Sequence, residues 1–155
     1  MRNRMIDYVI TGICILIIVG TWAYVGYAWT RLPEQIPTHF DSSGNIDGYG
    51  GKGVIFLLPV MMIVMMVVLT VTEHMPQSWN FGNIRITPQN QYQIYSEGRN
   101  MLLSMKLIIM LLFCFMTVMQ VRGTAMPVFT MPVVLAVIFG DFLFWMIRIY
   151  RYKQE

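Results

Sequence analysis

Four stretches of this chain are each long and apolar enough to cross a lipid bilayer, and all four fall within 155 residues. They cover residues 6–29, 54–71, 101–121 and 127–147. The first has no charge after Asp7. At about 1.5 Å per helical residue it spans roughly 36 Å, more than the hydrocarbon core of a bilayer. Any one of these stretches alone also reads as a buried helix of a soluble protein. Four joined by short loops do not. The chain is 56% hydrophobic and 12% charged, too little charge to cover a water-facing surface, where about 25% is ordinary. In lipid each segment has to satisfy its own backbone groups, so the spans are helices. The expectation is an all-α membrane protein: a single domain over residues 1–155 with four transmembrane helices. Trp22, Trp29, Trp145, Tyr27 and Tyr150 lie towards span ends, as interfacial aromatics do.

Basic residues set the expected orientation. Arg2 and Arg4 precede the first span, whose apolar stretch is too long for a cleaved signal and is followed by no A-x-A site, so it reads as a retained anchor. With the N-terminus inside, the cytoplasmic segments carry Arg2, Arg4, Arg85, Arg99, Arg148, Arg151 and Lys153. The outer ones carry Arg31, Lys52 and Arg122, seven against three. That asymmetry puts both termini in the cytoplasm, loop 30–53 outside and loop 72–100 inside. The net charge of +3 therefore reads as topology, and no nucleic-acid partner is expected. Cys14 and Cys114 lie inside spans and read as small apolar fillers, not a disulfide. The methionines cluster within a span and not as spaced ligands on a loop, so no copper site is expected.

In loop 72–100, Thr87-Pro88 has the chemistry of a helix start. From there the chain can run helically into the third span, with Tyr92, Tyr95 and Arg99 on one face. The alternative is a flat interfacial helix joined to the span by a bend at Gly98.

Loop 31–53 reads RLPEQIPTHFDSSGNIDGYGGKG and holds five of the twelve glycines and one of the two histidines. Regularly placed Leu32, Ile36, Phe40, Ile46 and Tyr49 separate two turn clusters. Ile36-Pro37 favours extended backbone, and Gly44, Gly48 and Gly50 are expected at positive φ. A compact hairpin-like cap fits. His39, Asp41 and Asp47 could converge as a zinc-like ligand set. Against this, turn Asp residues usually bond their own backbone, and the chain has neither H-E-x-x-H nor a Cys pair. No metal, cofactor or enzymatic activity is expected.

The same residues carry a resemblance. The pattern LP-x-x-IP-x-H-[FW], then Gly, D-G-[YW]-G and Lys resembles that of small bacterial membrane proteins with the domain of unknown function numbered 1648. Pro33, Ile36, Pro37, His39, Gly44, Asp47, Gly48, Gly50 and Lys52 fall on it, within about residues 15–65. That domain also opens the immunity proteins that protect cells against the sporulation-delaying toxin. The resemblance implies a multi-pass protein of the bacterial cell membrane with an outward motif loop. Immunity relatives sequester a repressor at the membrane, which implies a cytoplasmic protein partner beside membrane lipids.

Three function classes follow. The first is an immunity or sensing protein whose outer loop recognises a secreted peptide or envelope component, with Pro37, His39, Asp41, Gly44, Asp47, Gly48, Gly50 and Lys52 as the motif residues. The second is a small transporter subunit or lipid-handling scaffold, for which only Lys106, Gln120 and Asp141 offer interior polar groups. The third is a membrane metalloenzyme using His39, Asp41 and Asp47. Lys106 lies 18 residues before Thr124 and Asp141 lies 17 after it, so in an antiparallel hairpin of spans they share a depth. Each costs roughly 2.5–3.5 kcal/mol alone at a helix centre, and a buried ion pair between them is expected. The alternative is that Lys106 snorkels to the interface while Asp141 bonds elsewhere.

Overall fold

The computed structural model describes residues 4–153; Arg2, part of the orientation count, lies outside them. In chain order the elements are helix α1 (Arg4–Ala28), strands β1 (Gln35–Phe40) and β2 (Ile46–Gly51), then helices α2 (Leu57–Glu73), α3 (Gln91–Arg122) and α4 (Thr130–Tyr150). With their flanking tight turns, four helices are long and apolar enough to cross a membrane, at 27, 22, 32 and 21 residues. The architecture is mostly helical, and the hairpin adds a two-stranded antiparallel ribbon.

The helices turn bulk apolar side chains outward. Val133, Leu135, Phe139, Phe142, Leu143 and Phe144 of α4 are all exposed. Water would not tolerate that surface, and lipid does, which makes this a multi-pass membrane protein. α3 is the hub and packs against α1, α2 and α4. Three buried clusters run along the bundle. Val25, Leu32, Ile36 and Ile55 lie beneath the hairpin. Cys14, Met62 and Met110 form the middle layer, with Cys114 packed against it, and both thiols are free. Ile84, Ile94 and Ile149 close the far end.

Proline placement is compatible with two of the helix starts. Pro59 and Pro132 each occupy the third residue of their helix, where the missing N–H has no intrahelical partner to lose. α3 is continuous from Gln91, without a break at Gly98. Gly98 instead seats the loop that carries Trp79 and Phe81: a Cβ there would lie 2.9 Å from both. The helix starts later than the expected Thr87-Pro88: α3 begins at Gln91 with Asn90 at its N-cap position, and residues 88–90 form a turn in which the Thr87 carbonyl accepts from the Asn90 and Gln91 amides at 3.2 and 2.9 Å. Gly123 ends α3 at φ 62° and returns its N–H to the Met119 and Gln120 carbonyls, a left-handed cap that suits glycine.

Candidate functional site

The hairpin is built from its turn outward. One oxygen of Asp41 accepts the Ser43 and Asn45 backbone N–H groups at 2.8 Å each, and the other accepts the Asn45 side-chain amide at 3.2 Å. The backbone N–H of Asn45 is the main reason the Asp41 carboxyl is held below its ordinary value. Asp41 therefore organises the turn and is not turned towards a ligand. Gly44 completes it at φ 84°.

The strands pair Gln35 with Gly51, Ile36 with Gly50, Pro37 with Tyr49, His39 with Gly48 and Phe40 with Ile46, with irregularities on both sides of His39. Ile36, Pro37 and Phe40 are buried towards the bundle, while His39, Asp47 and Tyr49 are exposed. His39 Nδ1 meets Asp47 Oδ1 at 2.5 Å, which leaves Nε2 as the ring nitrogen open to a ligand. Lys52 Nζ donates to Glu34 at 2.8 Å and sits 5.1 Å from the Trp29 ring. The Lys52 amide also donates to the Glu34 carbonyl at 2.9 Å, so the base of the hairpin is closed twice.

The expectation of positive φ at Gly48 and Gly50 is corrected. Among the described residues only Gly44, Gly82 and Gly123 have it. Gly48 and Gly50 are needed for a different reason: a Cβ at Gly48 would lie 3.0 Å from the His39 Cβ, and one at Gly50 would lie 2.8 Å from the Thr38 methyl. Cross-strand crowding, not backbone sign, selects glycine there. Gly44 is pinned from outside as well. Its carbonyl accepts the Met126 N–H at 2.8 Å, and a Cβ would lie 2.3 Å from the Met126 carbonyl oxygen. The hairpin tip thus reaches across the end of the bundle to the α3–α4 connection. The three-residue ligand set is also resolved: His39 and Asp47 touch, Asp41 serves the turn, and among the described residues no three His, Cys, Asp or Glu gather to hold a metal.

At the opposite end lies a set of buried charges. Lys106 does not pair with Asp141. Its ammonium meets Glu73 of α2 at 2.6 Å and donates to the Thr70 hydroxyl at 3.1 Å. Asp141 is held by Ser104 and the Trp145 indole, each at 3.0 Å. Asp141 meets Ser104, two places from Lys106, so the two charges share a depth. Rotation separates them: at about 100° per residue, those two places turn Lys106 some 200° away from Ser104, towards α2. Two further pairs tie α3 to its neighbours: Arg99 to Asp7 of α1 at 3.4 Å, and Glu97 to Arg148 of α4 at 2.7 Å. α3 therefore contributes one partner to a charged pair with each of the other helices. Glu73, Glu97 and Asp7 escape a sequence reading because they sit at span ends, where charges look solvated. Glu73 lies beside the 79–90 segment, where Trp79 donates to the Thr72 carbonyl at 2.9 Å and packs edge-on against Phe81 and Tyr95.

Residues 16–63 match the family described as Domain of unknown function (DUF1648). An uncharacterized protein of Archaeoglobus fulgidus is similar, at 34% identity over 53 residues, which cover 34% of this chain and 29% of that protein. The matched segment thus spans less than a third of that relative. No solved structure matches. The family match takes in the second half of α1, the whole hairpin and the first part of α2. It stops short of α3 and α4, which supply the Lys106, Glu97 and Asp141 contacts.

Proposed function

We propose that this chain is an immunity or sensing protein of the bacterial cytoplasmic membrane, with both termini inside and the hairpin outside. The hairpin's exposed face would recognise a secreted peptide or envelope component. The observation that carries this reading is the division of labour within the motif. Gly44, Asp41, Ile36 and Phe40 are occupied in building and docking the hairpin, whereas His39, Asp47 and Tyr49 face away from the bundle. An ordered scaffold that presents polar and aromatic groups is what recognition requires. The seven-to-three excess of basic residues supports the orientation. The reading is of a binding protein, not an enzyme.

A transport role draws less support. A cavity of about 200 Å³ at the far end reaches Glu73 and Arg99. Between it and the hairpin, however, stands the fully buried apolar layer of Cys14, Met62 and Met110, which offers no polar route.

The test is survival of toxin-sensitive cells exposed to the sporulation-delaying toxin, with and without the chain in their membranes. Protection by the natural chain, and its loss in His39→Ala with Asp47→Ala at equal protein level, is expected. Equal killing with and without a membrane-inserted chain overturns immunity to that toxin.

A further inference from the structure

Beneath loop 79–83, α3 and α4 leave a cavity of about 520 Å³. Its walls are apolar, with Met101 and Leu102 from α3 and Phe142 and Met146 from α4. Its mouth carries the amide side chains of Asn80 and Asn83. A second, shallower and open hollow of about 610 Å³ adjoins it along Phe142, Met146 and Tyr150 and reaches Arg151. Together they form a shallow groove beside α4 that runs to the end of the helix.

Positive charge gathers where the groove ends. Lys153 Nζ lies 5.5 Å from the centre of the Tyr150 ring. The Asn90 side-chain amide donates to the carbonyls of both Arg85 and Tyr152, at 3.0 and 3.1 Å. That bridge brings the backbone of Arg85 beside the chain segment that carries Arg151 and Lys153. Arg148 is already engaged by Glu97 at 2.7 Å. Among the described residues, Arg85, Arg151 and Lys153 have no carboxylate within ion-pair distance. An apolar slot against a membrane-spanning helix, with cations that have no carboxylate partner near its end, suits one class of molecule. An acyl chain fills the slot, and a phosphate bearing net negative charge answers the cations. A zwitterionic lipid would satisfy the walls but not the charge.

We propose that this groove binds an anionic phospholipid, with an acyl chain against Leu102, Phe142 and Met146 and the phosphate towards Arg151 and Lys153. The site is independent of the hairpin and of the recognition reading.

Native mass spectrometry of the full chain in mild detergent, titrated separately with phosphatidylglycerol and phosphatidylcholine, tests this. One phosphatidylglycerol retained at collision energies that strip phosphatidylcholine is expected. Arg151→Ala and Lys153→Ala should each weaken that binding by about fivefold, the effect of one basic residue at an anionic headgroup. Arg151 and Lys153 are both exposed, so the fold should persist, as an unchanged unfolding midpoint would verify. Arg31→Ala with Arg122→Ala, near the hairpin, should leave binding intact. Equal retention of the two lipids overturns the proposal, as does binding lost in the Arg31/Arg122 variant but kept in the Arg151/Lys153 variant.

Discussion

At the hairpin, His39 and Asp47 touch with side chains 72% and 45% exposed, whereas Lys106 and Glu73 touch with side chains 0% and 3% exposed. Both are close contacts between a base and a carboxylate, and their surroundings give them different work. An exposed pair is worth about 0–1 kcal/mol, because water competes for both groups. Removing one partner of a buried pair costs about 3–5 kcal/mol, because the other is left uncompensated. The far end of the bundle is thus held by side chains that cannot be spared. The hairpin is held by its Asp41 turn, the Glu34–Lys52 closure, glycine geometry and apolar burial, and its outward His39–Asp47 pair adds little to that hold.

The sharpest way to break this comparison is at the buried pair. Lys106→Met should destabilise the protein by about 3–5 kcal/mol, read as a shift in a denaturing-detergent unfolding titration. Glu73→Gln should do similar damage, and the double variant should lose clearly less than the sum. Lys106→Met combined with Asp141→Asn should simply add. Additive losses for Lys106 with Glu73 would mean the far end is not held by that pair.

Next comes the hairpin's backbone. Gly44→Val meets both a left-handed φ of 84° and a carbonyl 2.3 Å from the new Cβ. A loss of about 1–3 kcal/mol is expected in the same titration. Gly48→Val meets the His39 Cβ at 3.0 Å but carries no left-handed φ, so it should cost less. A reversed ranking would indicate that the tip is not docked on Met126.

A smaller stability effect with a larger functional one is expected at His39. His39→Ala should move the unfolding midpoint by less than about 1 kcal/mol while removing protection in the toxin assay. A comparable fall in protein level would instead make the exposed pair part of the scaffold.

These contrasts also explain what could be read beforehand. The hairpin was legible because its determinants are local: Ile36-Pro37 extends, Asp41 to Gly44 turns, and Leu32, Ile36 and Phe40 mark the buried face. Why Gly48 and Gly50 are glycines was not legible, since it depends on which residues stand opposite them across the ribbon. The spans were legible from length and composition alone. Their charged contacts were not, because a depth count fixes position along a helix and leaves rotation open. Rotation sends Lys106 to Glu73 and leaves Asp141 to Ser104. Asp7, Glu73 and Glu97 read as ordinary span-end charges in the sequence, because their cross-helix partners Arg99, Lys106 and Arg148 are set by the packing.

The smallest expected effect concerns acid. The Asp41 carboxyl is lowered in the folded hairpin, chiefly by the Asn45 backbone N–H. Its contribution is therefore complete above the ordinary carboxylate value of about 3.9 and is lost as pH falls through the lower folded value. Amide exchange at Ser43 and Asn45 should accelerate only below about pH 4, and Asp41→Asn should flatten that response. No such step is expected at the far end, where Asp41 has no contact.

The most direct measurement is of which compartment each end faces. Cysteines placed singly at Ser43, on the exposed hairpin turn, and at Ser78, on the exposed far-end loop, can be challenged with a membrane-impermeant thiol reagent in intact cells. Labelling of Ser43→Cys at once, and of Ser78→Cys only after permeabilisation, is the expected result. Labelling of Ser78→Cys in intact cells with Ser43→Cys protected would put the hairpin in the cytoplasm and contradict its role as an outward recognition surface.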